Sequence, residues 1–460
     1  MGTRDEGLLD VTMLTAAGAL ALLADGRMSS EQLVSGCLAR IRADEPRVGA
    51  WAFLDESRAL EQARSADEQR KEGKSLGPLH GLPVGLKDII DTREMPTENG
   101  TVLHAGRRPF HDAAIVERLK AAGAVILGKT VTTELATYSP GKTRNPHNPE
   151  HTPGGSSSGS AAAVAAHMVP VAIGTQTNGS IVRPAAYCGV YGYKPTFGMV
   201  PRTGILRQSP PLDHVGFVAR CVEDLAIIAE PLMGYDRDDP ATRPGARPRL
   251  REVALQDPPL PPVFAFTKTP NWGEAEPQTQ EAFEEVAASL GEQARPFNVP
   301  GMLAEAWEWH RLVMEADLAR SFHHEFERGR EQLSGTLREQ IERGRRVSAV
   351  DYNNAVDRIG VMEEAFDEVF DRCDAILTAA VAGPAPRGLE STGSPAFCTL
   401  WTFAGMPALT LPLLAAENGL PMGVQLVGRK GDDARLLRTA RWLVEHVRSL
   451  EAATNDAEPR

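Results

Sequence analysis

Residues 152–205 read TPGGSSSGSAAAVAAHMVPVAIGTQTNGSIVRPAAYCGVYGYKPTFGMVPRTGI. A cluster of serines between glycines opens into GSAAAVAAHM, a run of small residues with the length of a helix. VPVAIG follows as a short apolar strand. A second, isolated serine, Ser180, closes the turn GTQTNG ahead of IVRPAAY, which reads as a helix. A flexible linker would share the Gly/Ser content but would not run into an apolar helix and strand. Upstream, GLPVGLKDIID places Lys87 inside an otherwise apolar segment. Two serines and a lysine are enough to build a hydrolase without histidine.

The alternation continues outward. Residues 13–24, 29–43 and 56–71 read as helices, the second opened by Ser29 and Ser30 ahead of Glu31 and Gln32. PVGLKDII predicts a strand, residues 113–123 a helix, and AVILG a buried strand. DRDDPATRPGARPRLRE (236–252) breaks the pattern as an irregular surface crossing. Residues 302–371 are long, charged and helical. FAGMPALTLPL, GVQLVG and the residues after them return to strand, strand, helix, with a frayed tail EAATNDAEPR. This order predicts an α/β fold with helices packed on a largely buried sheet, closed by distant segments into one domain.

Composition narrows the functions. The chain has 460 residues and a net charge of −12, which argues against general binding to nucleic acid or anionic membranes. Cys37, Cys188, Cys221, Cys373 and Cys398 show no CxxC pair, as expected of reduced thiols in a cytoplasm. No apolar stretch approaches the ~18 residues of a membrane span. The opening MGTRDEG is polar and acidic, unlike a secretory leader.

Several motifs compete. GAVILGKT (123–130) matches GxxxxGK[ST] in form, but its interior is a strand, so a core strand ending in an exposed Lys129 is the better reading. GSSSG (155–159) matches the GxSxG elbow with Ser157 as nucleophile, yet a Pro- and Asn-rich loop precedes it where a strand is required. His214, His310, His323, His324 and His446 have no distinguishing context for the matching triad. SPGK (139–142) reads as a plain turn, and His323-His324-Glu325 as exposed helix residues rather than metal ligands.

The serine–lysine set has more context. An ammonium in an apolar strand is costly unless paired or neutral, and burial lowers a lysine pKa by up to several units. A neutral lysine is a competent general base; satisfaction by Asp88 or a carbonyl is the bland alternative. The turn before Ser180 can converge backbone N–H groups on one point as an oxyanion hole, and Ser180 can also cap the following helix.

GGSSSGSAAAVAA with VAIGTQTNGSIVRPAAYCGVYGYKPT resembles the amidase signature family. GLPVGLKDIIDT resembles its lysine segment, and GMPALTLPL with GLPMGVQLVGRKGDDARLLRTA its C-terminal block. The resemblance runs from about residue 15 to residue 447. It implies a single α/β domain over 1–460 with a large mixed β-sheet covered by helices on both faces. Its parts would be a signature core at about 75–235, a helical substrate-side region at about 300–371, and a strand–helix return at 372–450. It further implies a Ser–cis-Ser–Lys triad: Lys87 as base, Ser156 in the cis peptide as relay, Ser180 as nucleophile. The family's serine spacing selects Ser156 over Ser157 and Ser158. The amides of Thr177, Asn178, Gly179 and Ser180 would form the oxyanion hole.

Three residues depart from the common GTDTGGSIR. Gln176 replaces an acid, Asn178 replaces a glycine and must be accepted by the turn, and the arginine moves to Arg183. Arg183 is a candidate for binding a substrate carboxylate or, alternatively, a brace on chain carbonyls. By analogy TTELATYSPG (132–141) lines the acyl pocket, with Tyr138 as a contact. Aromatic and Met residues in 304–326 and 398–403 either wall an apolar entrance or belong to the core.

The expected function is a stand-alone amidohydrolase cleaving amide, or anilide, ester, carbamate or urethane bonds through an acyl-enzyme. It would act on small molecules as a cytoplasmic monomer or homodimer, with no cofactor, metal, nucleic-acid or membrane partner. Two alternatives stand beside it. One is the glutamine-hydrolysing component of a tRNA-dependent amidotransferase complex, against which the departures at 176, 178 and 183 speak. The other is a hydrolase of malonamate-like amides using Arg183.

Overall fold

The computed structural model describes residues 10–457; the opening MGTRDEG and residues 458–460 lie outside the described residues. The strands are β1 (Trp51–Leu54), β2 (Pro83–Lys87), β3 (Val125–Thr130), β4 (Val171–Gln176), β5 (Tyr191–Lys194) and β6 (His214–Ala219), then β7 (Phe264–Thr267), β8 (Ala294–Phe297), β9 (Ala375–Ala379), β10 (Ala408–Ala415) and β11 (Pro421–Val427). Among the described residues they join one mixed sheet of 11 strands in the order β1-β3-β2-β4-β6-β5-β10-β11-β9-β7-β8.

The parallel centre, β3-β2-β4, is buried along its whole length. Strands covered on both faces read as continuous apolar runs, and these do. β10 pairs antiparallel with β5, so the C-terminal return joins the sheet beside the signature segment. Helices cover both faces over two apolar cores.

Local chemistry explains most boundaries. Ser29 and Gln32 form a capping box on helix Ser30–Val48, as the serine pair and the following glutamine predict. Helix Ser158–Ala165 consists of small residues because backbone lies against it: a Cβ at Gly159 would fall 2.3 Å from Ala50 O and from Val131 N. The 236–252 passage stays irregular until helix Leu250–Ala254. The tail does not fray as expected, since helix Asp433–Ala457 runs through most of it. Trp401, Phe403, Phe322 and Phe326 are core residues, and Met314 alone of the suspected entrance residues reaches the cleft described below.

GAVILGKT is β3, as its apolar interior predicts, but Lys129 is not exposed. It is buried, 3.1 Å from Asp88, and donates to Thr97 Oγ1 at 2.7 Å. All five cysteines are free thiols. No helix among the described residues is long and apolar enough to cross a membrane.

Candidate active site

Parallel neighbours β2 and β4 end at the same edge of the sheet, where open α/β sheets place their ligands. Lys87 is the last residue of β2, and Thr175 and Gln176 end β4. The Lys87 side chain is fully buried and donates from Nζ to Ser156 Oγ at 2.7 Å and to Thr175 Oγ1 at 2.8 Å. Asp88, weighed as its partner, is taken by Lys129. Burial therefore drives the Lys87 pKa well below the ordinary lysine value; Asp213 pulls it up and Arg183 pushes it further down.

The Gly155–Ser156 peptide is cis. Gly154 ahead of it has φ 78°, and a Cβ there would fall 2.8 Å from Pro184 Cα, so glycine is required. Ser157, the elbow candidate, is buried in a structural role. Its Oγ donates to Thr175 O at 3.1 Å and accepts from Thr175 N at 3.2 Å. The residues before it form no strand, so the elbow context is missing.

The turn 177–180 has its carbonyls tied outward one after another. His310 Nε2 donates to Thr177 O at 2.8 Å, Thr402 Oγ1 to Asn178 O at 2.5 Å, Arg183 N to Gly179 O at 3.0 Å, and Ser157 N to Ser180 O at 3.3 Å. The amides of the same four residues find no acceptor among the described residues. A run of free, fixed N–H groups beside Ser180 is the arrangement that stabilises a developing oxyanion.

The departures are absorbed. Gln176 Oε1 accepts from Ile181 N at 2.8 Å and Val182 N at 3.0 Å, work that a carboxylate would also do. Asn178 is accommodated without a positive φ. Its side chain is a strut, donating to Tyr138 OH at 2.9 Å and accepting from Thr399 Oγ1 at 2.7 Å. Arg183 is buried and donates to Gly155 O at 2.7 Å, Gly393 O at 2.9 Å and Thr392 Oγ1 at 3.2 Å. The guanidinium braces the cis-peptide loop instead of facing a substrate carboxylate. Arg183→Met leaves these oxygens without their donor. It is expected to cost about 3 kcal/mol, read as a lowered melting temperature. Arg183→Lys should recover only part, because an ammonium cannot reproduce the fork.

Ser180 opens on a narrow cleft that includes Tyr138, Asn178, Gln208, Met314, Leu318 and Gln340, and no charged side chain lines it. Leu135 and Ala136, just before Tyr138, hold left-handed backbone at φ 46° and 56°. Gln208 Nε2 secures both, donating to their carbonyls at 3.2 and 3.0 Å. Such strain persists where surrounding contacts over-determine it, commonly at a site. Next to this cleft, and sharing Thr177 and Gln208 with it, lies a cavity of about 380 Å³ that reaches Thr175 and Asp213 but not Ser180. Burial pushes the Asp213 carboxyl up to about 6, against the Thr177 hydroxyl and the amides of Ser209 and Gln208.

His310 escaped sequence reading. Burial lowers its pKa to about 4, so it is neutral, with Nε2–H fixed as the donor to Thr177 O. Nothing within AWEWHRL marks it, because its partner lies 133 residues away. Thr175, Thr399, Thr402, Gln208, Asp213 and Gln340 went unnoticed for the same reason. Tyr138 lies where the analogy put it, on the cleft beside Ser180.

The chain has extensive relatives among known proteins. The Amidase family model matches residues 32–437. A glutamyl-tRNA(Gln) amidotransferase component of the A type, from Chloroflexus aggregans (strain MD-66 / DSM 9485), is 36% identical over 468 residues, spanning 94% of this chain and 96% of the relative. Among solved structures, native peptide amidase from Stenotrophomonas maltophilia has a TM-score of 0.82 at 31% identity, with 95% of this chain and 97% of that one covered. A protein from a vestigial complex that reveals the origins of an s-triazine catabolic enzyme has a TM-score of 0.88 at 27% identity, covering 94% and 98%.

These relatives overturn the expectation of a stand-alone hydrolase working on small molecules as a monomer or homodimer. The curated match, near end to end, is to a protein that is by name one subunit of an amidotransferase. The sequence argument against that class rested on residues 176, 178 and 183. In the structure Gln176 keeps an acceptor on the turn, Asn178 fits it, and Arg183 is internal, so none of the three removes a working part.

Proposed function

The chain belongs to the amidase family and is an enzyme of the carbon–nitrogen hydrolase type, and from that premise we propose that it is the amide-hydrolysing subunit of a tRNA-dependent amidotransferase complex. In this role it converts glutamine to glutamate and yields ammonia to a partner. The observation that carries the reading is the end-to-end match, at 36% identity, to a protein named for that complex.

The arrangement of side chains supports the following route. Neutral Lys87 takes the Ser156 proton across their 2.7 Å hydrogen bond while Ser156 takes the proton of Ser180. The Ser180 Oγ–carbon bond forms, and the carbonyl oxygen becomes an oxyanion facing the amides of 177–180. The C–N bond breaks as Ser156 returns a proton to nitrogen, so ammonia leaves rather than an amide anion. Water then attacks the acyl-Ser180 ester, giving its proton back through the same relay and releasing the acid. Thr175 holds Lys87 from its second side, and Arg183 fixes the carbonyl of the peptide that presents Ser156.

The test is purification from the source cells with and without companion proteins. Ammonia release from glutamine should be slow for the chain alone. It should rise at least tenfold when companion subunits and glutamyl-tRNA are present. Unchanged turnover with and without them sinks the proposal.

A further inference from the structure

We infer that the side-chain amide of Gln340 reads the acyl part of the substrate, accepting a hydrogen bond from an amino or amide N–H carried there. The inference rests on the hydrolysis proposed for Ser180 and names what that site selects.

Gln340 lies on helix Gly335–Gly344 and is 4% exposed. Its Oε1 is buried without a hydrogen-bond donor, and the residue lines the cleft that holds Ser180. The other polar groups there are engaged. Asn178 is held between Tyr138 and Thr399, Thr137 donates to Glu134 O, and Gln208 is used by Leu135, Ala136 and Thr177. Apart from Ser180, Gln340 is the one polar side chain of the cleft without a hydrogen bond among the described residues. A buried amide oxygen without a donor costs about 1–3 kcal/mol. Such groups are rare enough in folded proteins to require a reason.

The position is built, not incidental. Helix Gly335–Gly344 packs so closely on helix Ala306–Ser321 that a Cβ at Gly344 would fall 1.9 Å from Glu315 O. Ser334 caps its first turn, its Oγ accepting from Leu337 N at 3.3 Å, and Glu134 accepts from Ser334 N at 3.1 Å. Arg343 on the same helix pairs with buried Glu315 at 2.6 Å. These contacts fix the amide on the wall shared with Met314 and Leu318.

The chemistry sets the ligand class. With no carboxylate or cation on the cleft, a substrate is read there by hydrogen bonding rather than by charge. An N–H on the acyl side satisfies Oε1; a plain alkyl or aryl acyl group leaves it orphaned. A site built to hydrogen-bond a polar group rejects analogues that lack it more strongly than it discriminates methylenes. Peptide-like amides meet the requirement with a neutral N–H; glutamine meets it only through its α-ammonium N–H, with its carboxylate directed away from the uncharged lining.

The test compares wild type, Gln340→Leu and Gln340→Glu, each as the full chain with companions where they are needed. Two substrate pairs differ only in the donor: glutamine against glutaramate, and N-acetylglycinamide against 4-oxopentanamide. Wild type should favour the N–H-bearing member of a pair it cleaves. Gln340→Leu should raise KM for that member about tenfold, leave kcat nearly unchanged, and leave the partner lacking N–H unaffected. Gln340→Glu, which keeps an acceptor, should retain the preference. Equal effects of Gln340→Leu on both members, or no preference in wild type, overturn the inference. Turnover of N-acetylglycinamide with the expected pattern but none of glutamine supports Gln340 and removes the amidotransferase reading. Glutamine turnover indifferent to Gln340→Leu does the reverse.

Discussion

Ser180→Ala is expected to lower kcat for amide hydrolysis by at least ~10⁴-fold, about 5.5 kcal/mol of transition-state stabilisation, with the fold intact. Among the described residues Ser180 has an unengaged hydroxyl on the cleft at the end of a run of unengaged amides, whereas the Thr177 hydroxyl is taken by Gln208 and Asp213. Loss of its Oγ leaves no atom to form the acyl-enzyme. Intact-mass analysis during turnover should show an acyl adduct in wild type and none in the variant. Ser157→Ala provides the contrast. Its hydroxyl is bonded on both sides to the Thr175 backbone, next to the side chain that holds Lys87. It should lower stability by about 1–2 kcal/mol and slow the reaction far less than Ser180→Ala. Equal loss from both variants would refute the assignment of the nucleophile.

Lys87→Met is the second large effect, again about 10⁴-fold in kcat, because the proton taken from Ser156 then has no acceptor. Its melting temperature should shift little, since removing a buried amine that no carboxylate pairs offsets leaving the Ser156 and Thr175 hydroxyls without their donor. The base must be neutral, so wild-type kcat/KM rises with pH through the Lys87 ionisation. Burial places that acid limb well below the ordinary lysine range. Asp213 raises the Lys87 pKa. Asp213→Asn withdraws that negative charge and should move the acid limb to lower pH. A limb that moves upward, or stays in place, would contradict the assignment of Lys87 as the base.

Much of this site was legible before folding. The lysine in an apolar strand, the serines between glycines and the Gly-rich turn are local patterns, set by burial of alternating faces and by backbone freedom. They singled out Lys87 and Ser180, and the family resemblance selected Ser156 among the three serines; the fold brings the three segments together at one end of the sheet. The partner of the lysine was not legible. Asp88 follows Lys87 directly, but it lies in the turn that ends β2, and there it meets Lys129 of β3 instead. Arg183 was open between two roles for a similar reason. Only the approach of the 392–393 loop, some two hundred residues onward, shows which oxygens it meets.

From its sequence alone this chain declares an α/β sheet and a serine–lysine segment, because periodicity and turn chemistry act over a few residues, and its motifs resemble those of amidases. Tertiary structure decides the rest. Three carbonyls of one turn are held from outside it by His310, Thr402 and Ser157, and an unpartnered Gln340 is delivered to the cleft from another helix. Buried polar groups must find partners wherever the fold brings donors and acceptors together, and that meeting depends on segments remote in the chain.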